Sequence, residues 1–169
     1  MSDTALIPVY VRLYQPSDWS GNLICWRLES DYCHATIEIS NTIYSATFPK
    51  VIAVQNTAAT KEYDQVGMPP RKGSCYTLML TAEEAKLAEA YCLKMVGTSY
   101  DILSALGWAL RIGSLQRRKH VYCFEYVYAA LAAAGVFTES KALVTGDQLL
   151  TDLYHAGKLE DLNPRTVRV

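Results

Sequence analysis

Short apolar runs broken by turn-forming residues fill the first half of the chain, and apolar residues recur at helical spacing in the second. The runs ALIPVYVRLY, NLICWRLES, HATIEIS, NTIYSATF, KVIAVQNT and CYTLML are rich in Val, Ile, Tyr and Thr and are separated by Ser, Asn, Gly and Pro, which predicts strands. Gly67 to Gly73 (GMPPRKG) reads as an irregular surface loop. From Thr81 the period lengthens. Thr81 and Glu84 form a capping box opening TAEEAKLAEAYCLKMV, with Gly97 at the stop. Thr98 to Asp101 offers a second start, for YDILSALGWALRI, closed by Gly113. YCFEYVYAALAAA ends at Gly135, and Thr145 and Gln148 repeat the box pattern before QLLTDLYHA. Nothing repeats and no linker divides the chain. The expectation is one α+β domain over residues 1–169, strands first and helices second.

Within HATIEI, Ala35, Ile37 and Ile39 alternate with His34, Thr36 and Glu38. Period two sends the first set to the core and the second to the opposite, polar face. If Ser40-Asn41 is a two-residue hairpin loop, partners sum to 81, so Thr47 faces His34 and Ser45 faces Thr36. Either hydroxyl would then be placed to bond one imidazole nitrogen and fix the tautomer of the other. Plain β-forming roles for Ser45 and Thr47 remain the alternative.

Cysteine usage adds a second group. The five cysteines are odd in number and widely spaced with no C-x-x-C pair, which argues against a disulfide framework or a structural zinc site. Cys92 falls mid-helix, Cys25 and Cys75 fall in predicted strands, and Cys33 points away from its neighbour His34. Cys123 differs. Tyr122 to Gly135 carries one charge, Glu125, in fourteen residues, so that helix is buried among other elements. Its N-terminal end follows Arg117-Arg118-Lys119-His120 and is expected to reach solvent. A thiol in a first helical turn meets unpaired backbone N–H groups and the positive end of the dipole, both of which favour thiolate. Glu125 suits the same dipole.

Composition narrows the classes. The 169 residues are 50% hydrophobic, enough for one sizeable core. Sixteen basic against seventeen acidic side chains give a net charge of -1, so balance implies no polyanion-binding surface. A nucleic-acid binder would have to rely on Arg111 and the Arg117 to His120 run beside some of the twelve tyrosines, which alternating strands explain more simply as core-edge residues. No apolar stretch is long enough for stable membrane insertion, and MSDTALIPVY lacks the basic start and apolar core of an export signal. A cytoplasmic location is expected. No metal cluster or phosphate-cradling glycine loop is apparent, so no cofactor and no metal are expected, and the oligomeric state is not encoded in any visible pattern.

A His opening a strand, a polar residue on the next strand, and much later a Cys starting a helix resemble a known constellation. LICWRLESDYCHATIEI, IYSAT, GTSYDILSALG, YCFEYV and TGDQLL, in this order from about Leu23 to Leu150, look like the circularly permuted branch of the NlpC-type papain-like cysteine peptidases, which includes YiiX-like and small phage and prophage proteins. The chain departs from that pattern at Phe124, often Ser, at Cys33, also often Ser, and at Ser45, often an acidic or other strong acceptor. The resemblance implies a papain-like fold, an antiparallel sheet or barrel packed against C-terminal helices. It also implies Cys123 as nucleophile, His34 as general base, and Ser45 or Thr47 as the third polar member. The Cys123 N–H would be one oxyanion donor, with a second from the segment holding Ser17, Trp19 and Ser20. His120 and His155 are expected to be solvated. Expected substrates are a small peptide, an acyl compound or a cell-wall-derived fragment. The competing reading is a catalytically weak or inactive phage-type accessory protein that binds a host partner through the same fold, with the cleft filled by Tyr122 or Phe124.

Overall fold

The computed structural model describes residues 5–56, 72–99, 122–141, 144–161 and 164–167. Most of the loop expected from Gly67, the helix expected over YDILSALGWALRI, and Arg111 and Arg117 to His120 lie outside them. The described elements run β1 (Leu6–Tyr14), α1 (Trp19–Leu28), β2 (His34–Ile39), β3 (Thr42–Ala46), β4 (Val51–Gln55), β5 (Gly73–Thr81), α2 (Ala82–Met95), α3 (Cys123–Ala133), α4 (Gly146–His155) and β6 (Arg165–Val167).

The strands form one antiparallel sheet in the order β4-β3-β2-β1-β5-β6, open at β4 and β6 rather than closed into a barrel. Alternation sets its faces. Val9, Val11 and Leu13 of β1, Ala35, Ile37 and Ile39 of β2, and Tyr76, Leu78 and Leu80 of β5 are buried and cluster with α2, α3 and α4. The opposite face carries Arg12, His34, Thr36, Glu38, Ser45 and Cys75, which the register puts side by side. That face is not the half-exposed polar surface expected. Every residue of β2 is buried, and its one carboxylate, Glu38, is paired with Arg12 and accepts from Asn56 Nδ2 at 3.0 Å.

The hairpin joining β2 and β3 has the expected register, Thr36↔Ser45 through Ile39↔Thr42. Ser40 and Asn41 both take positive φ, 49° and 62°, the geometry that matches strand twist in a two-residue loop. Thr81 and Glu84 form the complete capping box of α2, and Thr145 accepts from the Gln148 N–H at the start of α4.

One expected strand is a helix. NLICWRLES lies mostly in α1, where the Asp18 side chain accepts from the Gly21 N–H and Glu29 ends the helix in the left-handed region. Of the residues of α1 only Gly21 is buried, and Trp19 and Trp26 stand 78% and 74% exposed. Cys25 is therefore helical, and a helix precedes most of the strands instead of following them. Among the described residues no helix is long and apolar enough to cross a membrane.

Candidate active site

β2 begins at His34, and α3 begins at Cys123 with Tyr122 as its extended N-cap. The two meet: the His34 side chain hydrogen-bonds the Cys123 sulfur, which also accepts from the backbone N–H groups of Ala35 and Phe124. A strand N–H points in the plane of its sheet, so a sulfur that takes the Ala35 N–H sits at the edge of β2 rather than above either face. The β2–β3 register starts at Thr36↔Ser45, one residue past Ala35, so this edge position lies just beyond the ladder. Such a position lets His34, whose side chain belongs to the polar face, touch a helix packed on the apolar face.

The other ring nitrogen is engaged as well. His34 Nε2 lies 3.0 Å from Ser45 Oγ, which leaves Nδ1 for the sulfur. Thr47, buried, lies one residue beyond the end of β3, and the bond to Nε2 is made by Ser45. Tyr14 covers the imidazole, ring centroids 5.8 Å apart and planes tilted by 30°.

Electrostatics at the sulfur oppose one another. Burial, the largest effect, pushes the thiol up; the charge of His34, its hydrogen bond and the two backbone N–H donors outweigh burial and hold Cys123 below the ordinary thiol range. Cys92 is the contrast: burial pushes it up to about 12, and a hydrogen bond from Tyr126 offsets little of this. Burial also pushes Cys75 up, only partly offset by Arg12 and Arg165. Cys33 donates to the Tyr14 carbonyl at 3.5 Å.

One expectation about the helix start is corrected. The start does not face solvent: Tyr122, Cys123 and Phe124 are 4%, 3% and 1% exposed. Their rings are held by α4 and the segment before it. Tyr122 donates its hydroxyl to the Val144 carbonyl at 2.8 Å, and Phe124 packs where Gly146 leaves room. The amide donors at the sulfur are Ala35 and Phe124. In the segment expected to hold the second oxyanion donor, the Ser20 hydroxyl bonds Asp18 at 2.7 Å. His155 ends α4, exposed, where a cation suits the dipole, and His120 lies outside the described residues.

A cavity of about 350 Å³ lies near the β5–β6 edge, lined by Cys75, Thr77, Glu160, Asp161 and Arg165, and includes none of the candidate site residues. Among the described residues no group of three or more His, Cys, Asp or Glu side chains could hold a metal ion. No protein-family model matches the chain, and no curated protein sequence is similar enough to match it.

Proposed function

We propose that the protein is a thiol-dependent acyl hydrolase of the papain-like, permuted NlpC type, with Cys123 as nucleophile and His34 as general base. The observation that carries the reading is the hydrogen-bonded His34–Cys123 pair whose thiol stays below its ordinary range despite near-complete burial.

The thiolate attacks the carbonyl carbon of an amide, ester or thioester, forming a C–S bond while the carbonyl oxygen takes the negative charge. The N–H of Cys123, first in its helix and without an intrahelical acceptor, is one donor to that oxyanion. The Nδ1 proton of His34 passes to the leaving nitrogen, oxygen or sulfur as its bond to carbon breaks. Water then attacks the thioester, His34 takes the water's proton, and the acid leaves as the thiol re-forms. Ser45 holds the ring by accepting from Nε2–H throughout.

The near-complete burial of Cys123 favours a second reading, a binding protein that keeps the pair without turnover. Iodoacetamide labelling of Cys123 against pH separates the two. An unperturbed thiol at pH 6.5 is only about 1% thiolate, so labelling there reports the pair. The wild type should label at that pH and His34→Ala should lose at least about tenfold in rate. A sulfur that labels only at the pH of a free thiol, or not at all, would sink the hydrolase reading.

A further inference from the structure

On the polar face of the sheet, next to the candidate pair, two buried donors have no acceptor among the described residues. Thr36 is fully buried and its Oγ1 has no hydrogen-bond partner; Arg12 is partly buried, and its Nη1 is enclosed and likewise without a partner. The two residues are directly paired across β1 and β2, on the same face of the sheet. Arg12 is held in place from its other side, where Nη2 donates to Glu38 Oε2, and Glu38 is itself fixed by Asn56. Thr36 lies two residues along β2 from His34, about 7 Å, on the same side of the sheet.

Enclosed orphan donors are costly and call for an acceptor from outside the chain, a water, an ion or a ligand oxygen. A guanidinium N–H beside a hydroxyl matches the two oxygens of a carboxylate, and the guanidinium stays charged at any working pH. We infer that Arg12 and Thr36 form a carboxylate-binding subsite, and that the preferred substrate carries a carboxylate several bonds from the carbonyl attacked by Cys123. Given the proposed hydrolase, this assigns the substrate class as an acidic acyl compound or an acidic peptide. A neutral acyl chain leaves both donors unmet.

The test uses ω-bromo acids of increasing length, bromoacetate, bromobutyrate and bromohexanoate, each against its neutral amide. The Cys123 thiolate displaces bromide, forming the C–S bond as C–Br breaks. In the wild type the acid-to-amide rate ratio should rise at least tenfold from bromoacetate to bromohexanoate, whose chain spans the gap. Thr36→Val should abolish that rise, and Thr36→Ser, which keeps the hydroxyl, should restore it. A second arm does not need a reactive sulfur: hexanoate should raise the melting temperature of Cys123→Ala more than hexanamide does, and Thr36→Val in that background should remove the difference. No length dependence and equal effects of hexanoate and hexanamide would overturn the subsite. An inert sulfur with the second arm intact would instead refute the hydrolase and leave the subsite standing.

Discussion

The start of α3 is positioned by a close approach that a single methyl group should disturb. Gly146 is the first residue of α4, and a β-carbon there would lie 2.6 Å from Tyr32 Cβ and 3.1 Å from both Phe124 Cε1 and Ser30 Oγ. Gly146→Ala sets two effects against each other. Alanine is the better helix former by about 1 kcal/mol in a helix interior, and by less in a first turn. Against this, the Tyr32 β-carbon is fixed to its backbone and cannot rotate away, so the backbones must part, and overpacking of this kind costs about 1–3 kcal/mol. The net loss is about 1–2 kcal/mol, or a fall of about 2–8 °C in melting temperature for a chain of this size. Phe124 is the next contact, and its N–H bonds the Cys123 sulfur, so the variant should also label more slowly with iodoacetamide at pH 6.5. Thermal unfolding followed by circular dichroism, with the labelling rate on the same preparation, measures both. A melting temperature equal to or above that of the wild type would refute the claim that α4 sets the position of the helix start.

Two more predictions concern the pair itself. Ser45→Ala removes the partner of a buried imidazole nitrogen, costing about 1–3 kcal/mol, and should slow Cys123 labelling less than His34→Ala does; wild-type values in both would show that Ser45 does not orient the ring. A thiol held below its ordinary value adds stability that is fully present above the unfolded thiol pKa of about 8.5 and is lost as pH falls through the folded one. The wild type should therefore gain on Cys123→Ala in urea unfolding as pH rises toward the ordinary thiol range. A pH-independent difference would contradict it.

Much of the sheet could be read because its signals are local. Ser40-Asn41 fixed a two-residue loop, and that alone set the whole β2–β3 register. The box at Thr81 and the cap at Thr145 mark two helix starts because capping is a property of four consecutive residues. The helix α1 was missed for a matching reason. A helix that buries only Gly21 has no apolar stripe to betray its period, and its outward Trp19, Leu23 and Trp26 imitate the residues of a strand. Its cap, Asp18 to the Gly21 N–H, lacks the Glu or Gln that would have made a box. A three-residue strand such as β6 gives no period at all.

The candidate site divides the same way. Cys123 could be chosen because a first-turn thiol differs from mid-helix and mid-strand thiols on helix electrostatics alone. What alternation could not convey is that the polar face is buried as well, its one carboxylate Glu38 paired with Arg12 and accepting from Asn56. Nor could it place the sulfur. Alternation assigns each side chain to one face or the other, whereas Cys123 is held by a strand N–H just past the end of the β2–β3 ladder and reaches a histidine belonging to the far face. That edge exists only where the β2–β3 ladder stops short of Ala35. A lengthened ladder would give the Ala35 N–H a strand acceptor and deprive the sulfur of one of its donors. Where β3 ends thus bears on the thiol as directly as the identity of His34 does.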